Sequence, residues 1–351
     1  MSDFSAELER YTHSLDCSPL FWCGDTLAIL NELPAKSFDF CMTSPPYWNK
    51  RKYSNGGIGL EVTVTEYIQN LLKVFAQLKR VLKDSGSFWL NLGDTYHNKG
   101  LVGLPWRIAL ALVDEQGWIL RNDVIWHKLK GFDNARDKLR NTHEYLFHFV
   151  KRRQGFYYSD QSIRSKPRLA QVKNGGVISA TGVTGIRYKR QIELSTSLSD
   201  QEKQAAFAAL EGMLDRVRCG EISDFRMVIR KQQRATHSDS IQVSGRAKEL
   251  AQRGFYFLQY HPDGSKPGDV WDIIPEDSKT LYRDNHYGIY PEDLCRIPLL
   301  ATCPPDGIVL DPFCGTGTTN LVAMQLGRKS IGIDISDTYL QSARLRCNSP
   351  E

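Results

Sequence analysis

Gly307-Ile308-Val309-Leu310-Asp311-Pro312-Phe313-Cys314-Gly315-Thr316-Gly317-Thr318-Thr319 is the stretch that decides the fold. Its first four residues read as a short buried strand, and a helix is expected from about Thr318 to Leu326, stopped by Gly327. Ser330-Ile331-Gly332-Ile333 is the next strand, ending in Asp334. Strand, glycine turn, helix and strand make a βαβ unit, which implies a parallel sheet. Glycines directly after a strand let backbone approach a ligand closely, and an acidic residue about twenty positions on suits ribose hydroxyls. The turn is not a P-loop, because the lysine that reaches β and γ phosphates is missing. Its Asp-Pro-Phe start and lack of a third glycine also depart from the dinucleotide fingerprint. Asp311 suits instead a ligand carrying a cationic group.

The same rhythm runs through the N-terminal half. Leu20-Phe21-Trp22-Cys23 reads as a strand, Gly24-Asp25 as a turn, and Thr26-Leu27-Ala28-Ile29-Leu30 as the start of a helix, for which Asp25 is a natural N-cap. Ser37-Phe38-Asp39-Phe40-Cys41-Met42 is a second strand, and Thr43-Ser44-Pro45-Pro46-Tyr47-Trp48 follows it. Two prolines donate no backbone hydrogen bond and keep the preceding residues out of the helical region. The chain therefore leaves the sheet in a stiff turn with carbonyls turned outward, a serine hydroxyl at one end and aromatics at the other. Such a wall suits a flat group bearing an amine. Further on, helices are expected at Thr65–Leu82 and Pro105–Glu115, and strands at Ser87–Leu92, Trp118–Trp126 and Glu144–Val150. His143 and Glu144 are read as structural.

Composition is that of an ordinary globular chain of 351 residues. No run of eighteen apolar residues appears, so no membrane span is expected, and the acidic N-terminus lacks an apolar signal core. The eight cysteines are scattered without a Cys-x-x-Cys pair, which argues against a zinc knuckle and a disulfide scaffold; no metal is expected. Net charge is +5, but residues 151–260 carry twenty Lys and Arg against ten Asp and Glu, so the remainder is net −5. A basic segment in an acidic body points to a polyanion partner. Aromatics interleave with that charge (Phe156, Tyr157, Tyr158, Tyr188, Phe225, Tyr256), a mixture that grips phosphates and stacks on bases. One helix, Ser199–Val217, stands out in a stretch otherwise lacking the strand–helix alternation.

Asp-Pro-Phe-x-Gly-x-Gly-Thr together with Thr-Ser-Pro-Pro-Tyr resembles the S-adenosylmethionine-dependent DNA methyltransferases that modify exocyclic amines. The catalytic motif precedes the cofactor motif, the order known in that family as the β arrangement. The resemblance implies an α/β fold: a Rossmann-like methyltransferase sheet in circularly permuted motif order, with an inserted target-recognition region. On this reading, residues 1–150 and 266–351 form the catalytic domain, and residues 151–265 the basic insert. It assigns cofactor contacts to Asp311, Pro312, Phe313, Gly315, Gly317 and Thr318, ribose binding to Asp334, and an adenine contact to Asp25. His286-Tyr287-Gly288-Ile289-Tyr290-Pro291 resembles the segment lining the methionine end, which brings in His286 and Tyr290.

Ser44, Pro45, Pro46 and Tyr47 are the catalytic residues that the resemblance implies. Tyr47 would stack on a flipped base, while the Ser44 hydroxyl and Pro45 carbonyl accept from its NH2 group. Cytosine C5 chemistry would need a Pro-Cys pair, and the chain has none. Serine at the head of this motif is associated in the family mainly with cytosine N4, and Asp or Asn mainly with adenine N6. Cytosine N4 in duplex DNA is therefore the expected target, with adenine N6, an RNA methyltransferase or a non-catalytic DNA-binding protein as alternatives. The implied partners are double-stranded DNA and a cognate restriction endonuclease. The implied setting is the cytoplasm of a bacterium or archaeon, or a phage-encoded protein, associated with the nucleoid.

Overall fold

The computed structural model describes residues 3–50, 57–129, 135–174, 176–232, 245–276 and 290–348. The chain divides into two compact units, one formed by 1–162 with 268–351, the other by 163–267. The first contains an eight-stranded sheet of β1 (Leu20–Cys23), β2 (Phe38–Thr43), β3 (Leu82–Leu92), β4 (Ile119–Lys128), β5 (His143–Val150), β6 (Val270–Ile273), β7 (Ile308–Asp311) and β8 (Lys329–Asp334). Their spatial order is β1-β8-β7-β2-β3-β5-β4-β6. All neighbours run parallel except β5, which is antiparallel to both β3 and β4. This is the Rossmann-like architecture.

Side chains of the central strands fall onto two buried faces, and an irregularity in register between Phe38 and Phe40 puts those two on opposite ones. Phe38 and Cys41 of β2, Phe88 and Leu90 of β3 and Leu310 of β7 join one cluster, with Leu71, Phe75 and Leu78 of the helix Val64–Val81. Phe40, Met42, Trp89 and Val309 join the opposite cluster, with Leu294 and Leu299 of the helix Glu292–Thr302. Each fully buried side chain of this kind contributes about 1.5–3 kcal/mol. The helix Val64–Val81 begins with a capping box between Thr63 and Glu66 and runs straight into β3, so β3 starts at Leu82 rather than at Ser87. No described helix is long and apolar enough to cross a membrane.

The topology fixes where a ligand can sit. From β7 the chain continues through the helix Thr318–Gln325 to β8 on one side, and from β2 through Val64–Val81 to β3 on the other. The sheet order therefore reverses between β7 and β2, whose paired residues are Val309 with Phe40 and Leu310 with Cys41. In open sheets the crevice beyond the strand ends at such a point is the binding site. Both motifs, Asp311–Thr319 and Thr43–Trp48, open from those two strand ends.

The second unit is not the irregular stretch that its sequence implies. It has an antiparallel pair, Asp224–Ile229 with Phe255–Tyr260, and helices at Gly185–Glu193, Asp200–Arg218 and Gly245–Arg253. Tyr188, Phe225 and Tyr256, expected on sequence to meet bases, are buried, and the first two join the unit's own core. The Tyr188 and Phe225 rings stack on each other, their centres 5.4 Å apart.

Candidate active site

Asp311 is the hub of the crevice. It is fully buried at the end of β7, where Oδ1 accepts from the Thr43 hydroxyl at 2.6 Å and from the Phe313 N–H at 3.2 Å. Oδ2 accepts from the Tyr290 hydroxyl at 2.9 Å, and Tyr290 also bonds the Thr319 hydroxyl. Thr319 reaches back to the Met42 carbonyl at 3.4 Å. One carboxylate thus ties β7, β2, the helix Thr318–Gln325 and Tyr290 together. Burial pushes the Asp311 carboxyl up to about 6, against the pull of these donors. The network joins Asp311 and Tyr290, both expected on sequence to contact the ligand, at the base of the crevice. His286 lies outside the described residues.

The loop after β7 is bent by its glycines. Gly315 and Gly317 have φ of +53° and +74°, a region that costs other residues strain. Pro312 is buried and Phe313 half-buried, and Gly317 with Thr318 begins the helix without a side-chain cap. The Asp334 carboxylate, at the end of β8, accepts from the Gly315 N–H at 2.9 Å and the Ser336 N–H at 2.8 Å, one on each oxygen. Burial raises the Asp334 carboxyl above its ordinary value. Asp25 is exposed on the next strand end and caps its helix by accepting from the Ala28 N–H at 2.9 Å, while Thr26 donates to the Pro312 carbonyl at 2.7 Å. Behind the loop, Arg346 Nη1 donates to the Thr316 carbonyl at 2.9 Å. Carboxylates at neighbouring strand ends and glycine-bent backbone suit a ligand rich in N–H and O–H groups, as S-adenosylmethionine is.

Beyond β2 the Pro-Pro turn is pinned from behind. The Tyr67 hydroxyl donates to the Pro46 carbonyl at 2.9 Å, and Trp48 Nε1 to the Glu61 carbonyl at 2.9 Å. No donor among the described residues takes the Pro45 carbonyl. Ser44 Oγ lies 3.3 Å from the Tyr47 hydroxyl, which in turn donates to Glu144 Oε2 at 2.9 Å. The other Glu144 oxygen accepts from Lys128 Nζ, whose ammonium also lies 4.8 Å from the Trp126 ring centre. Desolvation, then the Glu144 charge, holds the Tyr47 phenol well above its usual range, so it stays protonated and donates.

Glu144 is the residue that sequence reasoning passed over. Its place follows from the sheet: β5 runs antiparallel to β3 with Leu92 opposite Tyr145, so Glu144 comes level with Gly93. A Cβ on Gly93 would stand 2.9 Å from Glu144 Oε1 and 3.0 Å from Tyr47 Cε2, so only glycine leaves this approach open.

Residues 38–345 match the DNA methylase family. The chain belongs to that family. It is an S-adenosylmethionine-dependent DNA amino-methyltransferase. The Type II methyltransferase M.SfiI of Streptomyces fimbriatus is 29% identical, covering 91% of this chain and 88% of that protein. The Type II methyltransferase M.SmaI of Serratia marcescens is 28% identical, covering 99% of this chain and 98% of that protein. Among solved structures, the PvuII DNA methyltransferase (cytosine-N4-specific) superposes with a TM-score of 0.55 at 16% identity, over 93% of this chain and 85% of that one. At that identity the likeness speaks for the fold alone.

Proposed function

We propose that this methyltransferase modifies the exocyclic N4 of cytosine at a specific site in duplex DNA, as the modification partner of a restriction endonuclease. The observation that carries the reading is the directed chain from Ser44 through Tyr47 to Glu144. A carboxylate only accepts, so Tyr47 must donate to it; the Tyr47 oxygen then accepts from Ser44, and the Ser44 hydrogen points away from the crevice. Ser44 is left as an acceptor, beside the Pro45 carbonyl. Two acceptors at one turn match the two N–H bonds of an amine.

A cytosine amine donates its lone pair into the ring and is a poor nucleophile, and in duplex it is out of reach until the base is flipped. Hydrogen bonds to Ser44 Oγ and the Pro45 carbonyl hold the amine with its lone pair drawn out of the ring plane, an effect of positioning and fixed dipoles. Pro46 stiffens the turn, and the half-buried Tyr47 ring gives the base a face. When bound, S-adenosylmethionine supplies the methyl group as an electrophile; Asp334, Asp25 and the Gly315–Thr318 backbone would hold it. The proton that the nitrogen sheds passes to Ser44 Oγ and along Tyr47 to Glu144 Oε2. Serine at the motif's head supports cytosine over adenine, and the Type II designation of the SfiI and SmaI relatives supports the restriction partner.

Methyl transfer from labelled S-adenosylmethionine to unmethylated duplex DNA, followed by separation of the product nucleosides, tests this reading. Label is expected in N4-methylcytosine and is lost in Ser44→Ala and Asp311→Ala. Label in N6-methyladenine would keep the site and overturn the base; label only with RNA would overturn the substrate.

A further inference from the structure

The second unit holds a cleft of about 370 Å³ that the chemistry above does not use. Its walls come from the turn after Ser179, the helix Gly185–Glu193 and the strand pair Asp224–Ile229 with Phe255–Tyr260. Three arginines line it, Arg168, Arg187 and Arg226, all exposed. Arg187 stands in the first turn of the helix, which Thr184 caps. Arg226 is the one exposed position of its strand. The Arg168 guanidinium lies 5.1 Å from the Tyr260 ring centre, and its Nη1 donates to the Tyr260 hydroxyl at 3.5 Å.

The single carboxylate in the lining is already committed. Asp224 is 1% exposed; Oδ2 accepts from the Ser179 hydroxyl and the Ala180 N–H, both at 3.0 Å, and Oδ1 from the Phe225 N–H at 2.8 Å. Its charge fixes the turn. Neither Arg168 nor Arg187 pairs with a carboxylate among the described residues. Arg168 and Arg187 put cationic groups on the walls of one concavity, which favours an anion there. Planar guanidinium forks match the oxygens of a phosphate two at a time. An aromatic face beside them suits the adjoining sugar or base.

We propose that this cleft is a phosphodiester site, in which Arg187 and Arg226 clasp one backbone phosphate of DNA and the Arg168–Tyr260 pair walls the neighbouring nucleotide. The proposal rests on DNA being the substrate. Because the arginines stand at the surface, a continuous strand can lay a phosphate in without threading an end.

The test is duplex binding by the full-length protein, measured by fluorescence anisotropy with a labelled mixed-sequence DNA between about 50 and 200 mM salt. The double variant R187A/R226A is expected to bind at least tenfold more weakly at the low end. Its slope of log affinity against log salt should fall by about 0.9, the amount for one phosphate. R190A, on the same helix but outside the cleft, should leave the slope within half that amount, and S-adenosylmethionine binding by calorimetry should be unchanged in all three proteins. Equal losses in R190A would overturn the site in favour of diffuse surface charge. Wild-type affinity in the double variant would overturn it while DNA methylation stands. No duplex binding by the wild type would instead remove the substrate reading itself. Arg187-dependent binding of thymidine 5′-monophosphate that does not compete with DNA would overturn the proposal by making the cleft a free-nucleotide site.

Discussion

Glu144 shows what one side chain contributes at the residue scale. With Lys128 on one oxygen and Tyr47 on the other, it gives the Ser44 hydroxyl its direction. Glu144→Gln keeps the shape and removes the charge. It is expected to lower kcat by about a hundredfold, the range of lost acid–base assistance, with KM for S-adenosylmethionine unchanged. Tyr47→Phe should cost a similar factor, and the double variant little more than either alone, because the two act as one unit. Single-turnover rates of the four proteins measure this; additive losses would separate Glu144 from the chain. Ser44 and Tyr47 were legible because they share one hexapeptide. Glu144 was not, since its partner lies 97 positions away and only the order β3-β5-β4 brings them together.

Strand and helix ends carry the next level. His148, in the middle of β5, is buried, stacked on Trp89 of β3 at 4.3 Å and 3°, with Nε2 3.0 Å from Ser87 Oγ. Burial, reinforced by the Arg121 charge, pushes its imidazole down from 6.5 to about 3. Below pH 6.5 the unfolded chain binds a proton that the folded chain refuses, so this contribution to stability is lost as pH falls toward 3. It amounts to roughly 3 kcal/mol by pH 4. Asp311 acts in the opposite sense between its ordinary range and about 6, because there the folded state holds the extra proton. His148→Phe should therefore flatten the loss of the urea midpoint between pH 6.5 and 4 relative to wild type; an unaltered slope would refute the assignment. In the loop after β7, Gly317→Ala forces a residue to φ +74° and sets its Cβ 2.9 Å from that of Ala343. S-adenosylmethionine affinity is expected to fall about tenfold, equivalent to about 1.4 kcal/mol, by calorimetry. The glycines were legible as a bend. The insert's aromatics misled, because composition reports that rings are present and not that a small unit of 163–267 must spend several of them on its own core.

For the whole molecule, the decisive feature is that no core cluster among the described residues is shared between the units. Two clusters draw on residues between Leu8 and Ile333 that all belong to the sheet-bearing unit, while the third lies within 163–267. In the sequence the strand–helix rhythm stops near Lys151 and resumes near Gly268, whereas the 12 residues from 151 to 162 fall with the first unit. There the Tyr157 N–H donates to the Ser85 carbonyl and the Ser159 N–H to the Ala301 carbonyl, bonds that composition cannot foretell. The chain enters and leaves the second unit side by side: the Ser165 N–H donates to the Ser265 carbonyl at 2.9 Å, and Arg164 to the Gly264 carbonyl at 2.8 Å. A short flexible linker can therefore span the ends left by removing the insert, at a small cost in loop entropy. A chain joining residue 162 to 268 through Gly-Ser residues should keep the sheet, its cooperative unfolding and its affinity for S-adenosylmethionine within a factor of a few. It should transfer no methyl group to duplex DNA if the basic charge lost with the insert is what binds the polyanion. Circular dichroism, calorimetry and the labelled-methyl assay decide the matter together. A folded, cofactor-binding chain that still methylates DNA would place substrate recognition in the sheet-bearing unit, and a chain that does not fold would show that the units depend on each other despite their separate cores.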